Sequence, residues 1–299
     1  MHQIDQAVAS VDFDLAIVSQ VDMVAYSDAL NGLPAIFDEV ESGVYYSQFI
    51  EAKNSRERIR FGLTWYKYRN YLARAMKSYA ISTVVSKREA TIISKIISRN
   101  SRIEIIPNSV DLQAYKDIKE QPRPNSLIFS GSFTYFPNYE AMLWFLGTIY
   151  PEIQAKIPDV EISITGNHAG LPLPKANNIL LTGLVENVNS YIARSWCSVV
   201  PLQTGGGTRL KVLEAMALRT PVVTTSKGAE GLDVQDGKHL LIADEPRAFS
   251  QCVIRLLRDQ DLRQAIAAEG YKLVQEKYNW EAVMPHFLAL IDEIKQTVN

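Results

Sequence analysis

The strongest constraint on the fold is a rhythm that begins at residue 126 and continues to the end of the chain. Short β-branched runs alternate with longer segments of helical period, which is typical of βα units on a parallel sheet. The predicted strands are Ser126–Ser130, Val160–Thr165, Ile179–Leu181, Ser198–Leu202, Pro221–Thr225 and His239–Ile242. The predicted helices are Asn138–Thr148, Val188–Ser195, Leu210–Ala217, Pro246–Arg258, Asp261–Lys277 and Trp280–Thr297. We therefore predict a doubly wound α/β domain in this half.

The first hundred residues show the same pattern with fewer strands. Predicted strands lie at Phe13–Ser19, Pro34–Asp38 and Ala80–Ser86, with a long helical segment between the last two. Three strands make a thin sheet for an α/β domain. A polar, proline-bearing stretch without periodicity is typical of a linker. Residues 116–125 form such a stretch, so we predict a linker there, between a short N-terminal α/β domain over 1–115 and a larger domain over 126–280. The final helix, over 281–299, is predicted to pack back towards the N-terminal domain.

Composition and charge exclude several classes of protein. Thirty-one basic residues against thirty-three acidic ones argue against a general nucleic-acid binder. The two cysteines, Cys197 and Cys252, lie in apolar runs, so neither a disulfide framework nor a cysteine metal site is predicted, and a reducing compartment fits best. The N-terminal segment lacks the pattern of a signal peptide, and no stretch approaches the roughly 20 apolar residues of a membrane span. We therefore expect a cytoplasmic protein.

The stretch most informative about function joins a predicted strand to a predicted helix. Four small residues form the junction: Gly205, Gly206, Gly207 and Thr208. Glycines let the backbone approach a ligand closely, and the N-terminus of a helix offers N–H groups to an anion. Arg209 and Lys211 place cations where the helix dipole disfavours them unless an anion lies nearby. Glu214 offers two acceptor oxygens to sugar hydroxyls. The alternative is a flexible loop with solvated cations, but the coincidence of these features favours a phosphate site.

Glycines also follow other predicted strands. Gly131 and Ser132 come after one strand, Gly166 after the next, and Gly183 after a third. Ligands of open α/β sheets bind in the crevice at the carboxyl ends of the strands. These residues, together with Asn138, are therefore candidates for substrate binding. Each of these glycines, taken by itself, could instead simply form a tight turn. For Gly166 the sequence favours a tight turn and a ligand-binding role equally.

Several short runs resemble one known family. The runs GTRLKVLEAMA, TPVVTT and GAEGL look like the donor-binding region of retaining GT-B glycosyltransferases of family four; they are Gly207–Ala217, Thr220–Thr225 and Gly228–Leu232. Ile106–Asp111 resembles the interdomain junction of that family, and Tyr278–Trp280 the motif before its final helix. Phe37–Ser42 and Val85–Glu89 are similar to segments of its bacterial polysaccharide sugar-transferase branch.

The resemblance implies a GT-B fold, in which two Rossmann-like domains face a cleft. It also implies a retaining hexosyl-type transferase that takes a nucleotide-sugar donor on the C-terminal domain and a glycan or lipid-linked glycan acceptor on the N-terminal one, with no cofactor and no obligatory metal. Carried over by position, Glu214 contacts the ribose. Gly205, Gly206 and Gly207 lie against the diphosphate and the donor sugar.

Three departures from the family pattern change these expectations. Gly206 stands where the first glutamate of the Glu-x7-Glu pattern is usual. The basic pair after the first strand of the C-terminal domain is missing, because Ser132 and Asn138 occupy that region. Charge on the leaving diphosphate still needs stabilisation, so Arg209 and Lys211 are the predicted substitutes. The N-terminal domain is also short by several elements, which would expose a sheet edge to a second copy or a partner subunit.

Two features of the first half carry open alternatives. Asp38, Glu39 and Glu41 lie at the end of a predicted strand, and a carboxylate there is a candidate for orienting or deprotonating an acceptor hydroxyl; such an acidic run is also typical of a solvated loop that caps a helix. The segment Arg56–Lys77 has seven basic residues, one acidic residue and interleaved aromatic rings. Such a helix can bind an anionic membrane surface, here the inner face of the cell membrane, or it can be a packing helix with a charged outer face.

The function predicted from the sequence is sugar transfer in polysaccharide or glycoconjugate biosynthesis. Two alternatives remain. One is a non-catalytic half that binds a nucleotide sugar or depends on a partner subunit. The other is a GT-B sugar-nucleotide epimerase, which needs no acceptor.

Overall fold

The computed structural model describes residues 2–97, 101–174, 176–206 and 209–298, and the chain forms two compact units. The first unit comprises residues 1–108, 206–208 and 283–299, and the second comprises 109–205 and 209–282. The division falls at 108/109 rather than within the predicted linker. The polar stretch 116–125 belongs to the second unit, because the first strand of that unit already begins at Arg123.

The first unit is built on a parallel four-stranded sheet with the order β1-β2-β3-β4. Its elements are α1 (His2–Ser10), β1 (Ala16–Ser19), β2 (Ala35–Asp38), α2 (Gly43–Ile50), α3 (Ser55–Ala75), β3 (Ile81–Val84), α4 (Lys87–Ser94) and β4 (Ile103–Ile105). Short 3₁₀ segments lie at Val21–Leu30 and Met76–Ser78. The sheet therefore has one strand more than the three predicted, because β4 is too short and too polar at Glu104 to show a strand pattern.

The core of the first unit forms around its two central strands. Phe37 of β2 and Val84 of β3 are fully buried beside Leu72 of α3, since these apolar side chains gain most by leaving water. Ile36 and Ile81 pack against the final helix, through Leu290 and Ile294. In the residues described, β1 pairs only with β2 and forms an edge of the sheet.

The second unit has a parallel six-stranded sheet with the order β10-β9-β8-β5-β6-β7. Its strands are β5 (Arg123–Ser130), β6 (Glu161–Thr165), β7 (Ile179–Gly183), β8 (Ser195–Val200), β9 (Val222–Thr224) and β10 (Leu241–Ile242). Its helices are α5 (Phe136–Trp144), α6 (Tyr150–Lys156), α7 (Val188–Ala193), α8 (Leu210–Ala217), α9 (Pro246–Arg258) and α10 (Gln260–Lys277), and α11 (Trp280–Val298) begins in this unit. A π-helical turn over Phe145–Ile149 joins α5 to α6, and a 3₁₀ turn lies at Leu112–Tyr115.

The connections place helices on both faces of this sheet, so the second unit is doubly wound as predicted. Separate apolar clusters cover the two faces, one around Phe129 and Phe145 and the other around Val200 and Leu213. The chain builds outward from β5 to β7 and then returns to β8 on the other side of β5. Ligands of such sheets bind where the winding direction reverses, here between β5 and β8. In the parts of the chain described, no helix is long and apolar enough to cross a membrane.

Candidate functional site

The candidate site lies at the carboxyl ends of β5 and β8, which are neighbours in the sheet of the second unit. The two strands pair in parallel, with Leu127 opposite Cys197 and Ile128 opposite Ser198. The turn after β5 therefore lies beside the glycine loop that leads from β8 to α8. This arrangement brings together residues that are far apart in the sequence.

Lys211 connects these two loops. Its Nζ donates a hydrogen bond to Oδ1 of Asn138 at 2.8 Å and lies 4.4 Å from the centroid of the Phe129 ring. Asn138 is buried and donates in turn to the carbonyl of Ser132 at 2.8 Å. Burial, and after it the nearby charge of Arg209, lowers the pKa of Lys211 to about 7. An anion next to the ammonium would favour the charged form and raise this pKa.

Gly131 and Gly166 make room for this arrangement. A Cβ atom on Gly131 would lie 2.7 Å from Nζ of Lys211, so a side chain there would displace the ammonium. Gly166 has a φ of +113°, and a Cβ on it would lie 2.8 Å from the carbonyl of Gly131 and 2.9 Å from N of Ser132. Gly183 has a φ of +70°, and its carbonyl accepts from N of Gly166 at 2.8 Å. Gly166 thus has a packing role, since only glycine permits these turns to approach so closely.

Arg209 occupies the N-cap position of α8 and is 5% exposed. Its Nη2 donates to the carbonyl of Gly205 at 3.1 Å and to that of Lys227 at 3.2 Å. These bonds join the loop after β8 to the loop after β9. Arg209 therefore holds two loops in position besides adding a positive charge, and its role as a phosphate clamp stays a prediction.

Glu214 lies in α8 one helical turn beyond Lys211. Its side chain is half-buried and has no hydrogen-bond or ion-pair partner in the part of the chain that the structure describes. Burial raises the pKa of Glu214, and the charge of Lys211 lowers it by a smaller amount. Glu214 also contributes to the raised pKa of Tyr115, about 12, for which burial is the main cause. A carboxylate in this setting has acceptor oxygens available for a ligand.

The glycine junction itself is described in part. Gly205 has a φ of +98°, and a Cβ on it would lie 2.5 Å from the Tyr135 hydroxyl. Gly206 is grouped with the first unit, and a Cβ on it would collide with Cγ2 of Val44 and lie 2.9 Å from Oε1 of Glu41. A side chain at 206 therefore needs Val44 to move. The two remaining candidates, Gly207 and Thr208, lie outside the described residues.

The loop after β9 also takes part, through a residue to which sequence reasoning gave no role. Lys227 supplies the carbonyl that Arg209 binds, and its Nζ pairs with Oε2 of Glu230 at 2.9 Å. N of Gly228 donates to Oγ1 of Thr225 at 2.9 Å, and that hydroxyl donates to the carbonyl of Leu202. The family resemblance covered the run that begins at Gly228 but not Lys227. The signal that could have found Lys227 is its position in the loop that follows a buried strand, three residues after the end of β9.

Asp38 lies in the first unit, at the last position of β2. Its carboxylate accepts from Oγ1 of Thr83 and, at 3.4 Å, from Oγ of Ser19. It thereby ties the ends of β1, β2 and β3 together. These side-chain contacts are with residues of neighbouring strands and not with the start of a helix, and the role of Asp38 towards an acceptor stays a prediction.

The basic segment forms α3 of the first unit. Trp65 and Leu72 are buried against the unit, whereas Ile59, Leu63 and Tyr66 are 66%, 58% and 59% exposed. These exposed residues are spaced four and three positions apart, so they form one ridge on the outer face. Exposed basic residues flank the ridge: Arg56, Arg58, Arg60, Lys67 and Arg69.

Most of the second unit matches a known protein family. Residues 124–259 match the family described as glycosyl transferases group 1. A curated relative, an uncharacterized 44.6 kDa protein in the cps region of Klebsiella pneumoniae, is 24% identical over 269 residues, which are 86% of this chain and 67% of the relative.

Solved structures match nearly the whole chain. The Anabaena protein Alr3699/HepE, solved in complex with UDP and glucose, aligns with a TM-score of 0.71 at 12% identity over 98% of this chain and 81% of its own. Sucrose-phosphate synthase from Thermosynechococcus elongatus aligns with a TM-score of 0.72 at 16% identity over 99% of this chain and 77% of its own. At these identities the likeness shows the fold, which is the two-domain GT-B arrangement of parallel α/β units.

Proposed function

We propose that this chain, whose residues 124–259 match the group-1 glycosyl transferases, moves a sugar from a nucleoside diphosphate to a glycan or lipid-linked glycan acceptor. We place the donor diphosphate at the reversal point of the second sheet, between the turn after β5 and the loop after β8. The transfer retains the anomeric configuration and needs no metal, as the family resemblance implies. The relative from a cps region supports a role in polysaccharide biosynthesis.

The observation that carries this proposal is that Lys211 and Glu214 lie one helical turn apart on α8. The ammonium donates one N–H to Oδ1 of Asn138, so its other N–H groups are available to phosphate oxygens. Glu214, without a partner in the described residues, would accept from the two ribose hydroxyls. Residues three positions apart lie on the same face of a helix, so one nucleotide could contact Lys211 through its phosphate and Glu214 through its ribose.

The proposed catalysis depends on stabilising the charge of the leaving diphosphate. As the bond between the sugar and the diphosphate breaks, negative charge builds up on the leaving phosphate. Lys211 becomes fully cationic when the diphosphate binds, and it neutralises that charge together with Arg209. Gly131 and the glycines of the loop after β8 bring main-chain N–H groups close to the phosphates. Positive charge from Lys211 on α8 would replace the basic pair that is missing after β5.

The donor is best sought among uridine nucleotides. The Anabaena neighbour was solved in complex with UDP and glucose, and another structure of the same protein holds UDP-glucose. We propose a UDP-hexose as the donor on this ground. A panel with GDP, ADP and dTDP sugars tests the base directly.

The proposal is tested by donor kinetics on three variants. We expect Glu214→Ala to raise the donor KM about tenfold or more with a smaller change in kcat, because ribose contacts are made in both the ground and transition states. The double variant Arg209→Ala with Lys211→Ala should lose turnover. Glu276→Ala, which changes an exposed carboxylate on α10, is the matched control. Near-native kinetics in both site variants would refute the assignment.

A second candidate function is a partner-dependent half protein. The observation that favours it is the edge strand β1, where Ile17 is 46% exposed, next to Phe13 at 44%. An exposed edge with apolar side chains can pair with another chain. Release of UDP by the chain alone, with acceptor present, would decide against this candidate. Conversion of the donor sugar without any acceptor would instead indicate an epimerase.

A further inference from the structure

A cavity of about 510 Å³ is lined entirely by residues of the first unit. It opens at the carboxyl ends of the parallel strands: Gln20 follows β1, Glu39 follows β2 and Val85 follows β3. This edge is where α/β sheets bind their ligands. Its volume is within the range of small-molecule pockets and is large enough for a monosaccharide residue.

One wall of the cavity is aromatic. Tyr45 of α2 and Tyr68 of α3 contact each other, with ring centroids 4.4 Å apart and an angle of 40° between the planes. Tyr68 donates its hydroxyl to the main-chain carbonyl of Glu41, and burial, followed by the charges nearby, raises its pKa. Tyr68 is therefore fixed as a neutral phenol. Tyr45 is 38% exposed and presents an apolar ring face on which the C–H face of a sugar can pack.

The other wall is acidic. Three carboxylates line the cavity, from Asp22, Glu39 and Glu41, and the described lining residues include no lysine or arginine. Glu39 has a φ of +55°, and Gln20 has a φ of +67°. Such left-handed backbone in residues other than glycine costs about 1–3 kcal/mol each and is concentrated at functional sites. N of Glu39 donates to Oγ1 of Thr83 at 3.1 Å, which holds this backbone in place.

The aromatic wall and the acidic wall together determine which ligands the cavity can bind. Carboxylates accept strong hydrogen bonds from hydroxyl and ammonium groups, whereas they repel a carboxylate or phosphate on the ligand. We infer that the cavity binds the acceptor of the proposed reaction through a sugar residue that is uncharged or carries an amino group. Uronic acids and phosphorylated sugars are excluded from this position. The inference rests on the proposed function for its use in transfer, but binding itself can be measured without turnover.

The test uses three probes of the same size on the full chain. They are the methyl glycosides of glucose, glucosamine and glucuronic acid, observed by saturation-transfer NMR at neutral pH. We expect the first two to bind and the glucuronide to bind about tenfold more weakly or not at all. The double variant Glu39→Gln with Glu41→Gln should remove this discrimination, and Tyr45→Ala should weaken binding of the glucoside. Asp12→Asn, which changes an exposed carboxylate outside the cavity, is the control.

The outcomes separate this inference from the proposed function. Equal binding of glucoside and glucuronide to the natural chain, or discrimination that persists in the double Gln variant, would overturn the inference. The double Gln variant replaces exposed side chains by isosteres, so it remains informative if Tyr45→Ala fails to fold. If none of the probes binds while UDP still does, the acceptor site is wrong and the donor site stands. If the glucoside binds but no nucleotide does, the proposed function fails on its own.

Discussion

Replacement of Lys211 by methionine should stabilise the protein while it weakens donor binding. The Lys211 ammonium is held against the Phe129 ring and next to Arg209, where burial lowers its pKa from 10.5 to about 7. The folded state therefore disfavours the charged form, and folding at acidic pH must bury a cation. A methionine side chain at this position carries no charge, and its thioether can pack on the same ring.

The pKa change sets the size of the effect. A difference of about 3.5 units between the unfolded and folded states is worth at most about 5 kcal/mol below pH 7. Loss of the hydrogen bond to Asn138 offsets about 1.5–3 kcal/mol of that gain. Between pH 7 and 10.5 the unfolded state binds more protons than the folded state, so the natural protein gains stability as pH rises. From pH 6 to pH 9 the advantage of Lys211→Met should shrink by about 2–3 kcal/mol.

Thermal unfolding followed by circular dichroism at pH 6 and pH 9 measures this change. For a unit of this size, 2–3 kcal/mol corresponds to about 5–10 °C in the difference between the two Tm values. Lys272→Met, which removes an exposed lysine on α10, should show the same difference at both pH values. A Lys211→Met variant whose Tm difference does not change with pH, or that is destabilised at pH 6, would show that the ammonium is not desolvated.

Three further predictions concern the pH dependence of UDP binding, the glycine at 166 and the basic helix α3. Affinity for UDP should fall about tenfold or more from pH 7 to pH 9 as free Lys211 loses its proton, and calorimetry on Lys211→Met should show a flat profile over this range. Gly166→Ala should lower the Tm by several degrees and weaken UDP binding, because its Cβ would meet the carbonyl of Gly131; Gly170→Ala, where nothing lies within 4 Å, controls for the positive φ. Reversal of charge at Arg58 and Arg69 should abolish sedimentation with vesicles that contain phosphatidylserine, if α3 binds membranes through its exposed ridge, whereas equal sedimentation of the variant would contradict this.

Much of the second unit could be predicted because its signals are local. The helices at Leu210–Ala217 and Pro246–Arg258 have the predicted ends. Their apolar positions recur at helical spacing, and Pro246 occupies the first turn, where proline is favoured. All six predicted strands are present, since buried parallel strands form continuous apolar runs. Where local signals were weak, the prediction failed: β4 has three residues with a glutamate in the middle, and β5 begins three residues early within a polar stretch.

The sequence by itself determined the order of strands and helices and the presence of a glycine junction before α8, because hydrophobic period and glycine content depend only on neighbouring residues. It also marked Arg209 and Lys211, because cations in the first turn of a helix are disfavoured by its dipole, and it gave Glu214 as a candidate for contacts with sugar hydroxyls. Only the tertiary structure decided that β5 pairs with β8, and therefore that Lys211 meets Asn138, 73 positions away. The lowered pKa of Lys211 and the need for glycine at 166 arise in the same way. Burial and close approach are properties of how distant segments pack, and they have no counterpart in a local pattern.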